Sequence, residues 1–125
     1  MNKVLYIGDG GSPTGFSSVS HNILSNIDLK KFDIHHLAIN YHGDPHPFPW
    51  KMFPAALGGD PIGMNRIKTF ANTNLKGIFI LNDPWVINRY LKEIKKVFGT
   101  KVPPIVVYFP VDAKELYYKW FEEFD

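Results

Sequence analysis

The chain has 125 residues, no cysteine and a net charge of +2 from 14 basic and 12 acidic side chains. That length suits one domain, and the lack of cysteine excludes disulfides, thiolate metal sites and cysteine nucleophiles, which fits a reducing, cytoplasmic setting. The charges are scattered, with no basic run longer than two residues (Lys30-Lys31 and Lys95-Lys96), so the basic stripe that nucleic-acid binding requires is missing.

The opening Met1-Asn2-Lys3 leads straight into Val4-Leu5-Tyr6-Ile7, a continuous apolar run closed by glycines. Such a run predicts a strand buried on both faces, with no leader and no transmembrane segment. The glycine-rich stretch Gly8 to Gly15 follows, and apolar residues then recur at helical spacing (Phe16, Val19, Ile23, Leu24, Ile27), which predicts a helix from Gly15 to about Asn26. Phe32 to Ile39 reads as a second strand. Residues 40–63 carry five prolines (Pro45, Pro47, Pro49, Pro54, Pro61) and exclude a helix. Only a short strand around Lys51-Met52-Phe53 is expected there, and so long an irregular loop points to a functional role.

Met64 to Ala71 predicts a short helix, and Gly77 to Leu81 another buried strand. Asn82-Asp83-Pro84 is a helix start signal. Val86, Ile87, Tyr90, Leu91, Ile94, Val97 and Phe98 form one face of a long amphipathic helix that Gly99 ends. Ile105 to Tyr108 gives a last strand, Phe109-Pro110-Val111-Asp112 a loop, and Ala113 to Phe121 a final helix rich in aromatics.

Strands alternating with helices predict right-handed crossovers and a mainly parallel sheet, a Rossmann-like three-layer α/β/α domain covering residues 1–125. Ligands of such sheets bind beyond the carboxyl ends of the strands. That rule selects four loops, at residues 8–14, 40–50, 82–85 and 109–112. In the first, Gly11, Thr14, Gly15, Phe16 and Ser17 surround a helix start whose N–H groups suit a phosphate, a diphosphate or a sugar hydroxyl. The pattern is neither a dinucleotide fingerprint nor a P-loop. In the second, Tyr41, His42 and Asp44 lie among aromatics suited to stacking on a sugar or a base. In the third, Asn82, Asp83 and Trp85 follow a strand end, where a carboxylate can hold a sugar hydroxyl or a proton, although Asp83 or Asn82 also fits a helix cap. Asp112 in the fourth pairs with Glu115 as a capping box, the alternative to a binding role. His42 and His46 are too loosely spaced for a metal site.

Several of these segments resemble one family. The first strand, its glycine loop, Thr14-Gly15-Phe16-Ser17-Ser18-Val19 and the Asn22-Ile23-Leu24 helix are similar to the opening of the retaining glycosyltransferases of family 4, which have the GT-B fold. Tyr41-His42-Gly43-Asp44, Ile80-Leu81-Asn82-Asp83-Pro84-Trp85 and Tyr108-Phe109-Pro110-Val111-Asp112 resemble a subset of the same family. Of the Gly-Gly-x-Gly turn of that family only Gly15 is matched, Thr14 and Ser17 standing at the first and third glycines. The resemblance implies an N-terminal, acceptor-side half of a glycosyltransferase, whole or shortened. It would act on a nucleotide-sugar and an acceptor once joined, in cis or in trans, to a C-terminal donor-binding domain, and would be inactive alone. It also implies a catalytic place for Asp83, where many members carry a histidine facing the sugar, and no resident cofactor. Two alternatives stay open. Ser12-Pro13-Thr14-Gly15-Phe16-Ser17 also resembles the phosphate loop of flavodoxins, which would make the domain an FMN binder with Trp50 or Trp85 beside the flavin. The aromatic loop at 41–53 and the last helix would equally suit a non-catalytic interaction domain.

Overall fold

The computed structural model describes residues 2–10, 15–43, 48–55, 62–70 and 74–109. In chain order these form strand β1 (Asn2–Asp9), helix α1 (Gly15–Ser25), strands β2 (Phe32–Ile39) and β3 (Lys51–Pro54), a 3₁₀ helix (Met64–Phe70), strand β4 (Leu75–Leu81), helix α2 (Pro84–Phe98), a 3₁₀ turn (Gly99–Lys101) and strand β5 (Ile105–Tyr108). The strands make one five-stranded sheet in the order β3-β2-β1-β4-β5. Every pairing is parallel. This is a Rossmann-like α/β fold, with the order reversing between β1 and β4.

The alternation of side chains along β1 divides the core in two. Leu5 and Ile7 point to one face, where Leu37, Ile78 and Ile80 join Ile87, Tyr90, Leu91 and Ile94 of α2. Tyr6 points to the other face and packs with Leu24 of α1, Ile34, Trp50 and Leu81. Because both faces of β1 are covered, its sequence reads as a continuous apolar run rather than an alternating one. Each such side chain, once buried, contributes about 1.5–3 kcal/mol.

Local chemistry sets the ends of α2. Pro84 occupies the first turn, where its missing N–H costs nothing, and Gly99 at φ +60 closes the helix with its N–H on the Lys95 carbonyl. Lys95 and Lys96 in the last turn face the negative end of the helix dipole. The Tyr90 hydroxyl donates to the Ile62 carbonyl and ties α2 to the segment before the 3₁₀ helix. At the opposite sheet edge the Asp33 carboxylate accepts from His35 Nε2 at 3.0 Å and lies 3.8 Å from Lys51 Nζ. The His35 hydrogen bond is the main reason that the Asp33 carboxyl titrates below its ordinary range.

The Tyr6 hydroxyl donates to Ser20 Oγ at 3.0 Å inside the α1 face, and its ring stacks on Phe79. Burial pushes its pKa up from 10.0 to about 12, against a smaller downward effect of the Ser20 bond. A phenol whose folded pKa is raised adds stability that is complete below pH 10 and lost as pH rises toward about 12. Alkaline unfolding followed by circular dichroism is therefore expected to steepen across that window. Tyr6→Phe, which removes the titrating group, should flatten it.

Candidate functional site

All five strands run the same way, so their carboxyl ends share one rim of the sheet. At the centre of that rim β1 ends in Asp9, which pairs in register with Ile39 of β2. Asp9 is 7% exposed, and its carboxylate accepts a hydrogen bond from Asn40 Nδ2 at 2.9 Å. Asn40 directly follows β2 with φ +64, a left-handed conformation that asparagine tolerates better than most residues. That backbone turn brings its amide back to the end of β1. The main chain continues the contact, with the Gly10 N–H on the Ile39 carbonyl at 2.9 Å.

Gly10 has a packing reason to be glycine. A Cβ there would lie 2.7 Å from Ala38 Cβ, 2.9 Å from Met52 Cε and 3.0 Å from His36 Cε1, all closer than van der Waals contact allows. Histidines brace the same turn. His36 Nε2 donates to the Gly8 carbonyl at 3.1 Å beneath it, with the imidazole edge-on to Tyr6. From α1, His21 Nε2 donates to the Gly10 carbonyl at 3.3 Å while its ring lies on Phe48, which stacks on Trp50. His21, His35 and His36 thus hold structural positions, as their places on a helix and a strand suggest.

On the other side of β1, strand β4 runs from Ile80, the partner of Ile7, to the Asn82-Asp83-Pro84-Trp85 turn. Asn82 donates its N–H to the Tyr108 carbonyl at 3.2 Å, which joins this turn to β5. Asp83 stands at the cap position of α2, yet its side chain makes no capping hydrogen bond. The Val86 N–H, which a capping carboxylate would take, goes to the main-chain carbonyl of Asp83 at 3.1 Å, as does the Ile87 N–H at 3.0 Å. The Asn82 side chain accepts from the Asp83 N–H at 2.8 Å. Capping, the alternative role for this pair, is therefore not performed by either side chain toward the helix.

Of the residues singled out in the sequence, Tyr41 and His42 lie just beyond the carboxyl end of β2, Asn82 and Asp83 just beyond that of β4, and Trp85 in the first turn of α2; β2 and β4 are the two strands that flank β1. Tyr41 is half-buried, and His42 and Trp85 are exposed. Gly15, Phe16 and Ser17 form the first turn of α1, and their side chains fall outside the described residues. So do Gly11, Thr14, Asp44 and Asp112, and the expected final helix at 113–121.

Sequence reasoning passed over Asp9 and Asn40 as site residues. The available signal was a carboxylate between a buried strand and a glycine, since burying a charge is costly unless it is hydrogen-bonded. No protein-family model matches the chain, and a search of curated proteins finds no match.

Gly10→Ala is expected to destabilise the fold by about 1–3 kcal/mol through overpacking on β2, read as a lower urea midpoint with an unchanged slope. A midpoint equal to that of the parent chain would mean that the turn yields freely and that packing does not explain the glycine.

Proposed function

We propose that the chain is the acceptor-side, Rossmann-like half of a nucleotide-sugar-dependent glycosyltransferase, with the rim at the carboxyl ends of β1, β2 and β4 binding the acceptor. The observation that carries this reading is that Asp9 ends β1 and Asp83 follows β4 by two residues, at the carboxyl ends of adjacent strands where the sheet order reverses. Open α/β sheets bind ligands at that point. Carboxylates there suit a ligand rich in hydroxyl donors and repel a phosphate. The same argument counts against FMN, whose phosphate would have to sit beside Asp9.

In this reading Asp83 accepts a hydrogen bond from a sugar hydroxyl beside the reacting carbon. The acceptor oxygen forms its bond to the anomeric carbon on the face from which the nucleoside diphosphate departs, and the acceptor proton leaves with the diphosphate, so the configuration is retained. The departing diphosphate is stabilised by the donor-binding domain, which this half meets across a cleft. Asn82, Tyr41, His42 and Trp85 line the acceptor side, the aromatic rings offering a stacking surface to a sugar. The resemblance of Asn82-Asp83-Pro84-Trp85 and Tyr41-His42-Gly43-Asp44 to family 4 glycosyltransferases supports the assignment.

The test is Asp83→Asn in the protein expressed together with its donor-binding domain, assayed against a panel of nucleotide-sugars and acceptors. Turnover should fall by roughly 10- to 100-fold through the lost charged hydrogen bond, while the helix content read by circular dichroism is kept, since asparagine suits the same cap position. Unchanged turnover would remove Asp83 from the chemistry. A yellow preparation, or FMN bound stoichiometrically by the isolated chain, would replace the transferase reading with a flavin-binding one.

A further inference from the structure

The rim at the ends of β1 and β2 carries a side-chain amide whose orientation the fold decides. Asn40 directly follows β2 and is exposed. Its Nδ2 donates to the Asp9 carboxylate at 2.9 Å, while Asp9, at the end of β1, is 7% exposed. An ionised carboxylate only accepts hydrogen bonds, so it draws the amino end of the amide inward and turns the carbonyl end away. Asn40 spends one of its two amide hydrogens in this way. Among the described residues its Oδ1 and its second N–H make no hydrogen bond. The backbone alone does not call for asparagine, because glycine adopts φ +64 with less strain. Nor does stability alone call for a nearly buried carboxylate, whose desolvation is costly. The pair stands at the carboxyl ends of two parallel strands, where open α/β sheets bind their ligands.

We propose that Asn40 is a specificity-determining residue that reads a vicinal diol of the acceptor sugar, with Asp9 as the positioning residue behind it. One hydroxyl of the diol donates to Asn40 Oδ1, and the neighbouring oxygen accepts from the remaining N–H. A planar amide offers both contacts side by side. The bond to the carboxylate makes the amide oxygen a stronger acceptor, since hydrogen bonds in a chain polarise one another. Asp9 also sets the sense of the contact. With the amino end held inward, Oδ1 favours a ligand that brings a donor, as a hydroxyl does and an ionised phosphate does not. The proposal rests on the transferase reading only for calling the ligand an acceptor sugar.

The test is sugar binding by the 125-residue chain, followed through the side-chain amide signals of Asn40 in nitrogen-edited NMR spectra. The probes are methyl α-mannopyranoside, methyl β-galactopyranoside and methyl β-glucopyranoside. Asn40→Gly keeps the turn, because glycine accommodates φ +64, and it assigns the signals by their loss. At least one pyranoside should move the Asn40 amide saturably at millimolar concentration. Tetrahydropyran-2-methanol, a similar ring without a diol, should not. Asn40→Gly, followed through the backbone amide of His42, should weaken that binding by roughly 10-fold, the loss expected for a two-point contact. Asp9→Asn puts an amide that both donates and accepts where only an acceptor stood. It should narrow the difference between the diol and the diol-free ring, a change in selectivity that lost stability alone does not produce. An Asn40 amide that no pyranoside moves, equal shifts with the diol-free ring, or parent-like binding by Asn40→Gly would overturn the proposal. Movement with inorganic phosphate in place of the sugars would overturn it in favour of an anion site. Failure of the transferase reading looks different: Asp83→Asn would leave turnover unchanged while the Asn40 amide still answered to sugars.

Discussion

The structure depends on the requirement that β1 be buried on both faces while pairing in parallel with β2 and β4. Parallel strands cannot be joined by tight turns, so each connection must cross the sheet. Helix α1 carries one crossover over the face that holds Tyr6, and α2 lies over the face that holds Leu5 and Ile7. Once β1 is fixed, its neighbours take their register from it along nearly the whole strand, from Asn2 opposite Phe32 to Asp9 opposite Ile39. The same constraint collects the strand ends at one rim. The candidate site follows from the way the core is made.

The end of β1 is where apolar packing gives way to directed polar contacts. The carbonyls of Gly8 and Gly10 each accept from a histidine, one on β2 and one on α1. Asp9 is held by Asn40 from the neighbouring strand. Buried polar groups linked in this way make a rigid turn, because each lost bond would leave a desolvated group behind. Rigidity there suits a binding rim, whose side chains must be held in place before a ligand arrives.

The histidines on α1 and β2 serve the fold, as their places on a helix and a strand suggest. Five histidines occur in the chain, and among the described residues three spend their ring contacts on the fold. His21 supports the glycine turn and stacks on Phe48, His35 binds Asp33 and stacks on Phe53, and His36 lies under Gly8. Asp83 makes the converse point. An aspartate before a proline at a helix start reads as a cap, but the main-chain carbonyl takes the N–H groups that the carboxylate would have capped.

Much of this architecture was legible in the amino-acid order because it rests on local patterns. The continuous apolar runs at 4–7 and 77–81, the helical spacing of α2 and its stop at Gly99, and the bounds of β2 all depend on which residues neighbour one another along the chain. Even β3 was readable, as a short break in a proline-rich loop. The segment at 64–70 was readable as a short helix but not as a 3₁₀ helix, whose tighter winding is a small energetic choice settled by packing. Strand order and the meeting of Asp9 with Asn40 arise between residues far apart in sequence. By itself the sequence determined the elements and the alternation that makes a parallel sheet. Only the tertiary structure decided which strand ends share a rim and which polar groups meet there, because those depend on how crossovers stack strands rather than on any one segment's preference.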